Sequence, residues 1–153
     1  MANKNGKRKV VLASGVFDLL HLGHVRFLEA AKKAGGENAW LVVVVACDST
    51  VEKTKGKKPI MSEEQRVALV ESLRVVDRAV LGFETLDIGE IIASIKPEVI
   101  ALGYDQEELA QQVQSYVGMH KVHVAVVRID KFEENSLDSS TKIKQKIIDK
   151  LAN

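Results

Sequence analysis

The sequence predicts an α/β protein with a Rossmann-like, doubly wound sheet of five parallel strands and helices on both faces. Short apolar runs alternate with segments of helical periodicity along the 153 residues, and no hairpin signal joins two strands. The apolar run at 40–46 lacks polar alternation, which is typical of a strand covered on both faces of a parallel sheet. We expect one domain with right-handed crossovers and no linker or internal repeat.

The first predicted elements form a strand–helix–strand unit. Residues 9–13 are a short apolar strand, and the helical spacing that follows it stops at the glycine pair 35–36. The second strand at 40–46 leads into 48–59, which is predicted to be a polar loop because it is rich in lysine and lacks a periodic apolar face.

The later elements are delimited by capping signals and by proline. Ser62 and Gln65 form a capping-box pattern that opens the next helix. The remaining elements are a strand at 79–81, a helix opened by Asp87 and Glu90 and ended by Pro97, a strand at 98–102, a helix at 105–117, a strand at 122–129 and a helix at 139–151. The prediction is therefore five strands and five helices.

Composition and charge exclude several classes of function. The formal charge of +1 provides no basic field for a nucleic-acid partner. Residues 1–9 do not resemble a signal peptide, and the run at 40–46 is too short to span a bilayer. Cys47 has no second cysteine to pair with, so we expect a buried, inert thiol and a reducing, cytoplasmic location.

The unusual residues follow the predicted strands. Residues 14–24 follow the first strand, 48–59 the second and 103–105 the fourth, and the segment before Ser139 follows the fifth. Ligands of doubly wound sheets bind outside the carboxyl ends of the strands. The four segments should therefore meet at one binding site.

The first of these segments has the chemistry of an anion site. His21 and His24 share one helical face at a predicted helix start, where unpaired N–H groups and the helix dipole favour a phosphate. Gly23 has no Cβ, so a phosphate could approach the backbone closely. The alternative is a pair of surface or capping histidines, and the glycine between them favours phosphate chemistry.

The second segment is strongly cationic, with lysines at 53, 55, 57 and 58. It is either a solvated turn or a mobile loop that closes on a polyphosphate and neutralises charge in the transition state. Its place across the crevice from the helix start favours the second interpretation. The histidines at 120 and 123 lack the further ligands of a metal site, and no G-x-G-x-x-G motif supports a dinucleotide cofactor.

The run "GVFDLLHLGH" at 15–24 resembles the signature of the small nucleotidyltransferases with an H-x-G-H motif, which include the cytidylyltransferases. The segments at 46–82 and 102–106 make the chain most similar to the archaeal-type FAD synthetases, which are FMN adenylyltransferases. The resemblance extends over about 10–148 and implies the same Rossmann-like fold.

The resemblance also implies roles for individual residues. His21 and His24 would polarise the nucleotide phosphates, and Lys55 and Lys57, with Lys53 and Lys58 as rivals, would match the catalytic lysines of the family. The other positions implied in nucleotide binding are Val16, Phe17, Leu22, Gly23, Arg66, Asp105, Ser139, Ser140 and Thr141.

Two positions depart from the family pattern. Leu22 stands where many members have proline or tryptophan, a change of packing. Glu134 stands where the cytidylyltransferases have an arginine, which weakens that assignment and leaves Lys131 or Arg128 to serve instead.

The implied reaction is transfer of AMP from ATP to FMN, assisted by a divalent cation, Mg²⁺, in a homodimer. The rival reaction is that of a cytidylyltransferase, which makes a CDP-alcohol from CTP and a phospho-alcohol such as glycerol 3-phosphate. The remaining alternatives are a nucleotide sensor without catalysis, against which the intact H-x-G-H motif and the lysine loop speak, and a purely structural domain. The aromatic residues that could stack on isoalloxazine are Trp40, Phe83, Tyr104, Tyr116 and Phe132.

Overall fold

The computed structural model describes residues 6–85, 87–132 and 137–153. Its five strands form one parallel sheet in the order β3-β2-β1-β4-β5, which confirms the predicted doubly wound sheet. The strands are β1 Val10–Gly15, β2 Trp40–Val45, β3 Arg78–Leu81, β4 Val99–Gly103 and β5 Ala125–Ile129. The helices of the described residues are α1 Leu22–Ala34, α2 Asp48–Lys55, α3 Glu63–Glu71, α4 Ile88–Ile95, α5 Glu107–His120 and α6 Ser140–Leu151.

Two apolar clusters cover the two faces of the sheet. Successive side chains of a strand point to opposite faces, so Val11 lies in one cluster and Leu12 in the other. Leu28 of α1 packs in the first cluster, and Ile92 of α4 packs in the second. The apolar run of β2 is buried on both sides for this reason, as its lack of polar alternation predicts.

The prediction of a loop over 48–59 was wrong for its first part, where the structure has helix α2. The helix begins with an acidic residue, Asp48, and ends with basic Lys53 and Lys55, which complements its dipole. Gly56 ends it in the left-handed conformation, with its N–H bonded to Glu52 O at 2.8 Å. Only Val51 of α2 is buried, so the sequence carries no periodic apolar face that would predict this helix. With α2 the described residues contain six helices, one more than predicted.

The last helix is the most peripheral element. None of the residues of α6 is buried, and the large apolar side chains of Ile147, Ile148 and Leu151 are exposed. No helix in the described part of the chain combines the length and apolar character needed to cross a membrane.

Because all five strands are parallel, their carboxyl ends lie along one edge of the sheet, called here the site edge. It carries the turn from β1 into α1, the start of α2, and the segments after β3, β4 and β5. The order in which strands are added to the sheet reverses between β1 and β4. Doubly wound sheets bind ligands at this point.

Candidate active site

The turn from β1 into α1 has a strained backbone. Phe17 and Leu19 have φ angles of 56° and 51°, in the left-handed region that costs a non-glycine residue about 1–2 kcal/mol. The Phe17 side chain is only 3% exposed and packs over Gly15, where a Cβ would lie 3.0 Å from the ring. Phe17 is therefore a packing anchor, and only its backbone remains for the predicted nucleotide contact.

The two motif histidines meet at the start of α1. His21 is the N-cap residue, and its backbone N–H donates to Nδ1 of His24 at 3.3 Å. The ring centroids lie 3.8 Å apart in a stacked arrangement. Because Nδ1 of His24 accepts a hydrogen bond, the proton of the neutral ring is assigned to Nε2, which makes this nitrogen a hydrogen-bond donor.

Burial favours the neutral form of both imidazoles. Burial, the neighbouring His21 and Lys55 lower the pKa of His24 to about 4, and Asp18 opposes them. Burial also lowers the pKa of His21, against the carboxylate of Asp138. Nδ1 of His21 is buried at the start of α1 and finds no hydrogen-bond partner among the described residues.

Gly23 is required by the protein itself. A Cβ there would lie 2.8 Å from the backbone oxygen of Asp138 and 2.9 Å from the ring of His21. The segment before α6 thus contacts the start of α1 directly, at the position where the sequence predicts a phosphate. Leu22, the first residue of α1, is exposed beside this contact.

The start of α6 joins the same turn. Ser139 caps α6 by accepting a hydrogen bond from Lys142 N, and Ser140 Oγ donates to the backbone oxygen of Asp18. The Lys142 ammonium lies 2.7 Å from Asp138 Oδ1, and this hydrogen bond lowers the pKa of Asp138. Thr141 is exposed on the first turn. The predicted serine and threonine positions are therefore next to the motif histidines.

Asp18 has a role that the sequence did not reveal, although the residue stands inside the quoted motif. Its side chain is 7% exposed, and its two oxygens accept from the backbone N–H groups of Ile60, at 2.9 Å, and Met61, at 3.0 Å. Lys144 of α6 lies 3.7 Å from the same carboxylate. A carboxylate in an otherwise apolar turn was the signal that could have revealed it, since such a group is buried only with partners.

Arg66 lies beneath the site. Its side chain has 0% exposure and donates to the backbone oxygens of Met61, Val16 and Ala46 at 3.0, 2.7 and 2.7 Å. It also pairs with Asp48 Oδ1 at 2.7 Å. The geometry does not support the prediction that Arg66 contacts the nucleotide, because the side chain is fully buried and four of its five N–H groups donate to the protein. The Val16 oxygen is occupied by the same guanidinium.

The lysines differ in their relation to the histidines. Lys55, the last residue of α2, is close enough to His24 to lower the pKa of that ring. Lys53, Lys57 and Lys58 are exposed on the same segment. Lys55 is exposed as well, and the catalytic roles of Lys55 and Lys57 stay predictions.

The end of β4 forms the other wall of the site edge. Asp105 is exposed and holds its carboxylate over Gly103, where a Cβ would lie 3.0 Å from Oδ1. Gln106 accepts from Gly103 N at 2.7 Å and donates to Ser14 O at 3.1 Å. This glutamine connects β4 to β1 at the reversal of strand order, a role that the sequence did not reveal.

The cations considered as substitutes for the family arginine lie beside β4. Arg128 pairs with Glu107 at 2.8 Å and donates to the backbone oxygens of Gly103 and Tyr104 at 3.3 Å. The Lys131 ammonium lies 5.8 Å from the centroid of the Tyr104 ring. Glu134, which departs from the family pattern, lies outside the described residues.

The structure separates the aromatic candidates into two groups. Trp40 begins β2 and so lies at the opposite end of that strand from the site edge, and Tyr116 packs in α5 against His120. Phe83, Tyr104 and Phe132 follow β3, β4 and β5 and lie at the site edge. Phe132 is covered by the guanidinium of Arg26, 5.6 Å from its centroid.

Cys47 is buried, as predicted, at the N-cap position of α2. Burial raises the pKa of its thiol, but contacts with the hydroxyls of Ser49, at 3.3 Å, and Thr50, at 3.0 Å, outweigh this and leave the pKa below its ordinary value. Within the described ranges there is no group of three or more His, Cys, Asp or Glu side chains that could hold a metal ion.

Comparison with known proteins gives a consistent result. Residues 12–146 match the family described as cytidylyltransferase-like. An FAD synthase of Methanopyrus kandleri is 47% identical over 144 residues, which cover 94% of this chain and 93% of that protein. An FAD synthase of Thermoplasma volcanium is 45% identical over 139 residues, or 91% of this chain and 94% of that protein.

A solved structure also resembles the chain. The protein, from Thermoplasma volcanium GSS1, is described as a lipopolysaccharide core biosynthesis protein. It is 45% identical, with a TM-score of 0.74, and the match covers 83% of this chain and 100% of the other.

Proposed function

The chain belongs to the cytidylyltransferase-like family, and from this premise we propose that it is an FAD synthase, which transfers AMP from ATP to FMN and releases pyrophosphate. The FAD synthases of Methanopyrus kandleri and Thermoplasma volcanium match it at 45–47% identity over nearly their whole length. One structural observation carries the chemistry. The starts of α1 and α6 meet at a turn that also holds two neutral, stacked histidines and a nearby lysine.

The start of α1 is the proposed site for the triphosphate. The first N–H groups of a helix have no intrahelical partner, and the dipole adds positive potential there. Nε2–H of His24 adds a side-chain donor to the same place, beside the stacked ring of His21. Neutral imidazoles donate to phosphate without carrying charge into a buried position, so the site stays stable when it is empty.

The proposed reaction is a direct displacement at the α-phosphorus of ATP. An oxygen of the FMN phosphate forms the new bond, the bond from the α-phosphorus to the bridging oxygen of the leaving group breaks, and pyrophosphate takes the electron pair. A phosphomonoester is already a competent nucleophile, so no covalent enzyme intermediate and no general base are needed. The protein's task is to bring two anions together and to stabilise the charge that develops.

His24 and Lys55 are proposed to perform that stabilisation. Both are close to the start of α1, and each provides hydrogen-bond donors to an oxyanion. Ser139, Ser140 and Thr141 are proposed to orient the phosphates from the opposite side through the start of α6. Asp105, exposed beyond β4, is proposed to face the sugar and base of the nucleotide.

A divalent cation fits this site only as a partner of the phosphates. The nearest buried carboxylate, Asp18, is engaged by Ile60, Met61 and Lys144, and Asp138 is paired with Lys142. The described residues therefore do not form a protein cage for a metal, and no step of the reaction is derived through one. We propose that Mg²⁺ arrives bound to ATP and keeps several waters, as this ion prefers.

A pyrophosphate-release assay tests the assignment directly. Purified protein is incubated with ATP or CTP, each combined with FMN or glycerol 3-phosphate, with His24→Ala as the blank. Pyrophosphate and FAD should appear with ATP and FMN. Turnover only with CTP and glycerol 3-phosphate would establish the CDP-alcohol reaction instead. Tight binding of ATP without turnover on either acceptor would favour a nucleotide sensor.

Assembly is a separate proposal. The resemblance implies a homodimer, and sedimentation equilibrium of the wild-type chain would measure it. A monomer at micromolar concentration would remove this part of the proposal and leave the reaction untouched.

A further inference from the structure

The lysine segment, residues 48–59, is attached at both ends to the turn between β1 and α1. This segment comprises α2 and the exposed stretch that follows Gly56. The sequence favours a mobile loop that closes on its ligand. The structure instead has a buried charged side chain at each end of the segment.

The first attachment is made by Arg66. Its guanidinium binds Asp48, the first residue of α2, and the backbone oxygen of Ala46 just before it. The same guanidinium binds the backbone oxygen of Val16 in the β1–α1 turn. One buried cation therefore fixes the start of the lysine segment relative to the turn. Because α2 is a rigid helix, this contact also limits where Lys55 at its far end can lie.

The second attachment is made by Asp18. This residue belongs to the turn itself, and its carboxylate binds the backbone N–H groups of Ile60 and Met61, which follow the segment directly. Arg66 reinforces the contact, because its Nε donates to the backbone oxygen of Met61. The lysine segment is thus attached to the turn at both of its ends.

Neither side chain is placed to touch a substrate. Arg66 has 0% exposure, and four of its five N–H groups donate to protein acceptors. Asp18 is an anion whose two oxygens already accept hydrogen bonds, and it would repel a phosphate. Both groups nevertheless contact the elements that carry His24 and Lys55.

We propose that Asp18 and Arg66 are positioning residues that hold the lysine segment, with Lys55 at the end of α2, against the β1–α1 turn before the substrates bind. This inference rests on the proposed FAD synthase function. A lysine held in place needs no reorganisation when charge develops on the α-phosphate, and preorganised donors of this kind contribute the most to the rate. A segment attached at both ends needs no closing motion, whereas a mobile loop would have to close before each turnover.

A double-mutant cycle tests whether Asp18 acts through Lys55. Asp18→Asn and Lys55→Ala are measured singly and together, with kcat expressed per folded molecule. If Asp18 acts through Lys55, each single variant lowers kcat by about 10²-fold, the effect typical of one lost preorganised donor, and the double variant is within a few-fold of Lys55→Ala. The proposal would be overturned if the loss of kcat in the double variant equalled the product of the two single losses, or if kcat were unchanged in Asp18→Asn.

Asp77→Asn is the matched control. Asp77 is also a partly buried carboxylate that accepts from a backbone N–H, Leu41 at 2.7 Å, and from a lysine, Lys32 at 2.7 Å. It lies just before β3, at the opposite end of the sheet. This variant should lose stability and keep the wild-type kcat per folded molecule, because its contacts do not reach the lysine segment.

A second readout does not depend on turnover. Lys55 lowers the pKa of His24, so an NMR titration of the His24 ring reports whether Lys55 is in place. The pKa of His24 should rise in Lys55→Ala and by a similar amount in Arg66→Lys, whose single ammonium cannot reach all four acceptors. Asp48→Asn tests the same attachment if Arg66→Lys does not fold. A shift in Lys55→Ala that is absent from the folded Arg66→Lys or Asp48→Asn variant contradicts the proposal.

The two readouts separate this inference from the proposed function. If the wild-type chain forms no FAD, the function fails, and the titration together with amide exchange at Ile60 and Met61 still decides the positioning. Those amides should be protected in the wild type and Asp77→Asn, and should exchange faster in Asp18→Asn. Equal exchange in all three would show that Asp18 does not hold the segment.

Discussion

The backbone N–H of His21 donates to Nδ1 of His24 across 3.3 Å, and the two rings stack with their centroids 3.8 Å apart. This contact orients His24 and assigns its proton to Nε2. It also opposes protonation of the ring, because a protonated Nδ1 could not accept the hydrogen bond. The start of α1 thus presents Nε2–H of His24 as a hydrogen-bond donor.

Loss of the His24 ring should abolish most of the activity. In His24→Ala we expect kcat to fall by about 10²–10³-fold, as for other preorganised donors, while the far-UV circular dichroism stays that of the wild type. His120→Ala is the control, because His120 is exposed at the end of α5 and its ring lies 4.3 Å from that of Tyr116 in a tilted arrangement. Comparable losses in both variants would mean that the effect does not come from the motif.

Stability should depend on pH through His24. Its pKa is about 4 in the folded protein and near 6.5 when unfolded, so between these values the unfolded chain binds more protons. The free energy of unfolding should therefore fall as the pH drops from 6.5 towards 4, by up to about 3 kcal/mol from this residue, and should level off below that.

Urea unfolding at pH 7, 6, 5 and 4 measures this dependence. The difference between the wild type and His24→Gln isolates the contribution of the one ring, since other titrating groups are shared. The variant should lose less stability than the wild type over the interval. If the free energy of unfolding falls equally with pH in the wild type and in His24→Gln, His24 has an ordinary pKa in the folded protein.

A methyl group at Gly23 should separate α1 from the segment before α6. The added Cβ would lie 2.8 Å from the backbone oxygen of Asp138 and 2.9 Å from the His21 ring, so the backbone must move. We expect Gly23→Ala to lose about 1–3 kcal/mol of stability and most of its kcat. Thermal unfolding and the FAD assay measure the two effects.

Gly118→Ala is the matched control for that substitution. Gly118 lies in α5, where an added methyl group would meet open space, and alanine favours a helix by about 0.5–1 kcal/mol over glycine. This variant should be slightly more stable than the wild type and equally active. If Gly23→Ala is as stable and as active as Gly118→Ala, the close approach of Asp138 to Gly23 does not matter for activity.

The lysines should differ in importance. We expect Lys55→Ala to lower kcat/KM by about 10²-fold, because Lys55 is close to His24, and Lys57→Ala to lower it less. Lys150→Ala, on the exposed outer end of α6, should leave the rate unchanged. Equal values of kcat/KM for Lys55→Ala and Lys150→Ala would mean that the lysine segment is a solvated turn without a role in the reaction.

Local patterns were sufficient for most of the fold. The apolar runs of β1, β2 and β4 and the capping residues Ser62 and Asp87 each act over a few neighbouring positions, so their effect is readable from the chain. Helix α2 escaped prediction because a single buried residue, Val51, connects it to the core. Its polar surface gave no period to detect.

The motif at 15–24 predicts a site at the first crossover, but it did not reveal how the turn there is held together. Arg66 was predicted to bind nucleotide from its position in the family pattern, yet it is fully buried with protein acceptors. Gly23 was explained by a phosphate, yet the backbone of Asp138 occupies the space. Both differences depend on partners that lie far away along the chain.

The sequence by itself determined the alternation of strands and helices and the family, and it predicts phosphate binding at the first crossover. These follow from interactions within a few residues and from side-chain chemistry that does not depend on distant neighbours. Tertiary structure alone decided that Asp18 meets Ile60 and that Ser140 meets Asp18, 122 positions apart. Such contacts are set by the order of strands in the sheet, which brings separate segments to one edge and which local patterns do not encode.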